Sequence, residues 1–218
     1  MTTVPGMSQS PIDFCKNEIK FVDHLPDIDF SYSKSTNVTL VNTGSPDEFA
    51  TIRADVPTGA AHIALSGARY DLVQFHWHTP SEHEIAGRHT PVEMHLVHRS
   101  ADGAVLVIGV FIRQGRTNGV LDPIFRELPE HSGGTRIVAD VNLCKLLPDR
   151  RASFRYSGSL TTPPFTEPVS FIIFADSITL SERQIDDFQR LFEERNCRKV
   201  QPLNGREILC DAGNIFDD

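Results

Sequence analysis

The sequence predicts a mainly β protein: a mostly antiparallel sheet in a single domain spanning residues 1–218, with a few short helices at its margins. Three observations carry this. Alternating or β-branched stretches recur at short intervals along the chain. Turn-forming strings ("NTGSPD", "SGAR", "AGRHTP", "SADG") separate them. Helical periodicity stands out in only two places, and no strand–helix–strand rhythm is present, so a doubly wound parallel sheet is not expected.

Taken in order, the predicted strands are Asn37–Val41, Glu48–Arg53, Ala61–Leu65 and Asp71–His78, then Val92–His98, Val105–Ile112 and Val169–Phe174. Each is short, alternating or β-branched, and bounded by turn residues. The string "DPIFREL" predicts a short helix over Asp122–Leu128, with Pro123 in its first turn. "SERQIDDFQRLFEER" predicts a second, starting at Ser181. Ser181 and Gln184 form a capping box there, and Ile185, Phe188, Leu191 and Phe192 make one apolar face.

Composition narrows the function. With 218 residues, 39% hydrophobic and 23% charged, the chain can bury one good core. The longest apolar run, "AVLVIGVFI" (Ala104–Ile112), is too short to cross a bilayer as a helix, so no membrane partner is expected. A formal net charge of −8 argues against a nucleic-acid partner. No basic and apolar leader opens the chain, which points to the cytoplasm; a periplasmic or secreted home is expected only if this is a mature form. Cys15, Cys144, Cys197 and Cys210 contain no CxxC pair and read as buried free thiols with at most one bridge. Nothing in the sequence fixes the oligomeric state.

Six of the nine histidines fall in "QFHWHTPSEHEIAGRHTPVEMHLVH", Gln74 to His98. Period-two alternation puts Gln74, His76 and His78 on one face of a strand, with Phe75 and Trp77 on the other. The same rule puts Glu93, His95 and Val97 together on the next strand. Antiparallel pairing of the two would bring His76, His78 and His95 into one facial set. Three neutral imidazoles suit Zn2+, with a fourth position open. Gln74 beside His76 and Glu93 beside His95 are placed to accept each ligand's outer N–H. His83, His89 and His98 read as structural or solvated. A cupin-like H-x-H-x3-E reading (His76, His78, Glu82) also exists, but the second motif of that family is not cleanly supplied.

Downstream, "YSGSLTTPPFTEPVSF" (Tyr156–Phe171) holds two adjacent prolines, which forbid a central strand and predict a rigid loop bearing Thr161 and Thr162. With "QSPIDF", "NTGS", "QFHWHTPSEH", "VEMHLVH" and "QPLNGREI", in this order from Gln9 to Ile208, the chain resembles the α-class carbonic anhydrases. The resemblance implies a large twisted sheet around a conical cleft, with Zn2+ held by His76, His78 and His95. It implies that Gln74 and Glu93 orient ligands, that Thr161 accepts a hydrogen bond from zinc-bound hydroxide, and that Glu82 takes the threonine's proton. It places Thr162 at the bicarbonate site, and Val97, Val107, Leu160, Val169 and Phe171 on the apolar wall for carbon dioxide. The implied reaction is reversible hydration of carbon dioxide to bicarbonate and a proton, with inhibition by sulfonamides and anions.

The pattern also breaks. Ser45 stands where fast members of the family carry a proton-shuttling histidine, and serine has no pKa near 7. The resemblance therefore implies an enzyme limited by proton release. Asp47 and Glu48 nearby are too acidic to substitute well. Only eight residues precede Gln9, a shortened N-terminal segment that predicts a more open site. Phe165 replaces the cysteine often found after "TTPP", so the usual secreted disulfide is missing, which agrees with a reducing compartment. A non-catalytic, carbonic-anhydrase-like binding domain is the alternative, although such relatives typically lose ligand histidines.

Overall fold

A computed structural model describes residues 6–44, 49–192 and 195–213. The strands are β1 (Asp13–Phe14), β2 (Ile19–Phe21), β3 (Ile28–Tyr32), β4 (Thr36–Asn42), β5 (Ile52–Asp55), β6 (Ala61–Leu65) and β7 (Ala68–His78). They continue with β8 (Glu84–Ile85), β9 (Val92–Ser100), β10 (Val105–Gln114), β11 (Thr135–Val141), β12 (Ser153–Gly158), β13 (Val169–Leu180) and β14 (Ile208–Cys210). Among the described residues two α-helices, α1 (Asp122–Phe125) and α2 (Glu182–Gln189), accompany them. No helix among the described residues is long and apolar enough to cross a membrane.

The main sheet runs β11-β4-β5-β7-β9-β10-β13-β12-β14-β2, with β3 and β6 joined to the edge of β7. Its pairs are mostly antiparallel, as expected. The central β10–β13 pair is parallel, from Val105↔Val169 to Gln114↔Leu180. Parallel neighbours need a long crossover, and residues 115–168 supply it. Both strands read as near-continuous apolar runs because both of their faces are covered.

Two clusters cover the two faces. One gathers Leu40, Ile52, Phe75, Trp77, Met94, Leu96, Ile108 and Phe174, closed by Phe125 of α1 and Phe188 of α2. The other gathers Phe14, Val107, Phe111, Phe154, Tyr156, Val169, Phe171 and Ile173. Strand alternation divides β7 and β9 between the faces, with Phe75, Trp77, Met94 and Leu96 turned into the first cluster.

Most predicted strands appear, several of them longer than expected. Two elements differ. The predicted strand Glu48–Arg53 is observed as Ile52–Asp55; Glu48 lies outside the described residues, and the Thr51 amide is taken by the Thr43 hydroxyl, so the regular ladder begins at Ile52. The helix expected over Asp122–Leu128 ends at Phe125. Its buried residues are only Ile124 and Phe125, and Leu128 precedes Pro129, which disfavours helical backbone there. The Ser181 capping box with Gln184 forms as predicted, and Ile185 and Phe188 are buried.

The four cysteines are free, as read, but only Cys210 is fully buried.

Candidate metal centre

β7 and β9 pair antiparallel, with His76 opposite His95 and His78 opposite Glu93. A bulge between Leu72 and Gln74 sets the parity of everything that follows on β7. The rings of His76, His78 and His95 then converge. Their centroids lie 4.9 Å (His76–His78), 5.5 Å (His76–His95) and 4.9 Å (His78–His95) apart. One ring nitrogen from each falls within 4.8 Å of the others, a spacing that one metal ion can bridge.

Each ring has an oxygen acceptor on its outer side. His76 Nδ1 lies 2.8 Å from Gln74 Oε1, and His95 Nε2 lies 2.9 Å from Glu93 Oε1. His78 Nδ1 lies 2.8 Å from the Asn196 carbonyl. Donation outward fixes the tautomers, so His76 Nε2, His78 Nε2 and His95 Nδ1 turn bare lone pairs inward. His78 Nε2 is buried with no hydrogen-bond partner among the described residues. A cation fits this set, because three inward lone pairs cannot satisfy one another. Burial, the neighbouring imidazoles and the Arg53 charge hold His76 well below the usual histidine pKa; burial also lowers His78, against the pull of the Asn196 carbonyl and Glu93. Both therefore stand as neutral imidazoles, the form that can ligate a cation.

Glu82 is buried beside the triad. Its Oε1 accepts from Arg198 N at 2.9 Å, and its Oε2 lies 3.4 Å from His78 Nε2 and 3.7 Å from His95 Nδ1. Burial pushes its carboxyl up to about 7, against the pull of His95, Thr161 and the Arg198 amide. Thr161 is thus close enough to favour the carboxylate, yet Oε2 makes no full hydrogen bond with any described residue. Thr161 itself is buried, on a loop whose Leu160 N is tied to the Thr166 carbonyl and whose Phe165 N is tied to the Thr162 carbonyl.

The apolar residues expected near the metal gather in the second cluster. Val107, Val169 and Phe171 are buried there, with Val97 and Leu160 packed against them. Register explains this: Val107 lies opposite Val97 on one side and Phe171 on the other. Thr162 lines a cavity of about 350 Å³ together with Thr43, Thr51, Arg53, Gln74 and His76. Ser45, Asp47 and Glu48 lie outside the described residues.

Four features escape the sequence reading. Asn196 is one: its carbonyl serves His78, and its side chain holds Thr79 N at 2.7 Å and Ala50 O at 2.9 Å. A main-chain acceptor leaves no mark on residue type, so nothing signals it. His83 is another. It is fully buried, with Nδ1 2.8 Å from Glu93 Oε1 and Nε2 2.6 Å from Tyr156 Oη. The structural role is as expected; what escapes is its direct link, through Glu93, to the candidate ligand His95. Gly109 is the third. It sits opposite His95, where an added Cβ would come within 2.3 Å of Ile173 Cδ1 and 3.0 Å of Glu93 Oε1. Its bareness makes room first for the Ile173 side chain and then for the Glu93 carboxylate. Arg53, which faces the cavity beside His76, is the fourth.

Comparison with known proteins agrees with this geometry. The family model for eukaryotic-type carbonic anhydrase matches residues 1–212. A carbonic anhydrase of Klebsiella pneumoniae is 40% identical over 206 residues, 94% of this chain and 80% of that protein. The α-carbonic anhydrase of Thermovibrio ammonificans, solved with the inhibitor sulfanilamide, superposes with a TM-score of 0.85 at 37% identity, covering 94% of this chain and 87% of that one. Dioscorin complexed with ascorbate superposes at 0.84 with 29% identity, covering 94% and 86%.

Proposed function

Because the chain belongs to the eukaryotic-type carbonic anhydrase family, we propose that it catalyses the reversible hydration of carbon dioxide at a zinc ion held by His76, His78 and His95. The observation that carries this reading is the buried His78 Nε2, without a hydrogen-bond partner among the described residues, inside a triad whose outer nitrogens are all engaged. Bound there, zinc supplies a hydroxide nucleophile at neutral pH by lowering a water's pKa from 15.7 to about 7.

The chain's own residues do the rest. Gln74, Glu93 and the Asn196 carbonyl fix the tautomers and aim the three ligand lone pairs. Ionised Glu82 accepts a hydrogen bond from the Thr161 hydroxyl, which leaves Thr161 Oγ1 able only to accept from other groups, and so orients the nucleophile. A divalent cation nearby favours the charged Glu82 that this requires, against the burial that raises it. The wall of Val97, Val107, Leu160, Val169 and Phe171 holds a non-polar gas without offering it a hydrogen bond. Thr162 and the cavity beside it receive the product anion. Proton release to solvent limits turnover, since Ser45 cannot carry a proton at neutral pH.

Metal analysis coupled to stopped-flow hydration tests the proposal. One zinc per chain, activity lost with zinc, and inhibition by an aromatic sulfonamide are expected. A zinc-loaded chain without activity would instead make it a binding domain.

A further inference from the structure

Arg53 lies opposite His76 across the β5–β7 pair, and Asp55 lies opposite Gln74. Two dyads thus run side by side on one sheet face: Gln74 bonded to His76, and Asp55 bonded to Arg53. Directly opposed side chains on neighbouring strands stand about 5 Å apart at Cβ, so Arg53 is a neighbour of a metal ligand. Arg53 is the one charged side chain among the described residues that line the cavity, and Asp55 is not in its lining.

Among the described residues, the pairing leaves one edge of the guanidinium open. Nε is 2.6 Å from Asp55 Oδ1, and Nη2 is 3.1 Å from Asp55 Oδ2. Nη1 has no partner among the described residues. Asp55 grips the Nε–Nη2 edge and fixes the side chain, so the Nη1–Nη2 edge remains to offer two parallel N–H donors. That fork matches a carboxylate-like anion. Both side chains are about 40% exposed (40% and 42%), so the field is screened but not lost. On a chain of net charge −8, a cation fixed in the cleft is an electrostatic exception that attracts anions.

We propose that Arg53 sets the affinity of the cleft for small monovalent anions, bicarbonate first among them, and that Asp55 attenuates this attraction. The proposal rests on the carbonic anhydrase reading above. Neutral carbon dioxide gains nothing from the guanidinium. Arg53 therefore acts on how tightly the anionic product and anionic inhibitors are held.

The two residues make opposite predictions, which a merely structural pair would not. In the cobalt(II)-loaded protein, whose visible spectrum reports the metal's surroundings, thiocyanate and bicarbonate titrations give dissociation constants directly. Arg53→Met is expected to raise both by about three- to tenfold, and Arg53→Lys to recover part of the loss. Asp55→Asn, which unmasks the guanidinium, is expected to lower them about twofold or more. Unchanged constants in Arg53→Met, or shifts of the same sign in Arg53→Met and Asp55→Asn, would overturn the proposal. Hydration activity of the unmodified zinc enzyme tests the underlying reading separately, so each can fail without the other.

Discussion

His83 donates from Nδ1 to Glu93 Oε1 over 2.8 Å, on the same oxygen that His95 Nε2 reaches at 2.9 Å. Glu93 Oε2 meanwhile accepts from Glu82 N at 2.8 Å and His83 N at 2.9 Å. Four donors thus surround one carboxylate. Burial alone would raise its pKa, but the two imidazoles hold it well below the usual range. The chain of donors continues outward in one direction: Ser159 N to Ser10 Oγ, Ser10 Oγ to Tyr156 Oη, Tyr156 Oη to His83 Nε2. Every proton in it points toward Glu93.

This arrangement predicts that His83→Phe damages both fold and metal site. Phenylalanine can keep the stack on Phe14, 5.6 Å away, but leaves Glu93 short of a donor and Tyr156 short of an acceptor inside the core. A buried polar group stripped of its partner costs about 1–3 kcal/mol, more when charged. We expect a loss of about 2–4 kcal/mol in urea unfolding of the metal-free protein, and zinc binding weaker by about tenfold or more because Glu93 no longer holds His95 in place. Tyr156→Phe, which keeps its ring stacked on Phe171, should cost much less. Equal unfolding midpoints for His83→Phe and the parent would refute the argument.

What the sequence makes legible here follows from period-two alternation. His76, His78, His95, Gln74 and Glu93 all sit on strands long enough for parity to be counted, and the structure brings them together with their spacing intact. Contacts that need the third dimension stay hidden. Asn196 reaches His78 through a main-chain carbonyl 118 residues away. Arg53 joins the cavity only because β5 pairs with β7. The parallel β10–β13 pair is hidden for a similar reason: an apolar run shows burial on both faces but not the direction of its neighbour.

Ser45 leads to a kinetic prediction. With no group near pKa 7 at that position, turnover in dilute buffer should be slow and should climb as imidazole is added at fixed pH, since the buffer then carries the proton. Ser45→His should raise turnover in dilute buffer by about tenfold or more and blunt the response to imidazole. Stopped-flow hydration measures both. Turnover that is already fast in dilute buffer and indifferent to imidazole would show that another route exports the proton.

His98 predicts a pH effect on stability that owes nothing to the metal. It is buried on the face away from His95, with Nδ1 3.0 Å from the Leu96 carbonyl and Nε2 2.6 Å from the Tyr32 hydroxyl. Burial lowers its pKa to about 4, despite hydrogen bonds that favour the charged form. The unfolded chain holds that histidine near 6.5. Between these values the unfolded state binds the extra proton, so stability is intact above about pH 6.5 and is lost as pH falls toward 4. The shift corresponds to about 2 to 3 kcal/mol by pH 4.5. His98→Gln keeps a donor and an acceptor but cannot titrate. Urea unfolding of the metal-free proteins at pH 7.5 and 4.5 isolates the effect, because the two proteins differ at this one side chain. The variant should lose about 2 kcal/mol less than the parent on acidification. An equal loss in the two proteins would mean that His98 does not couple folding to protons.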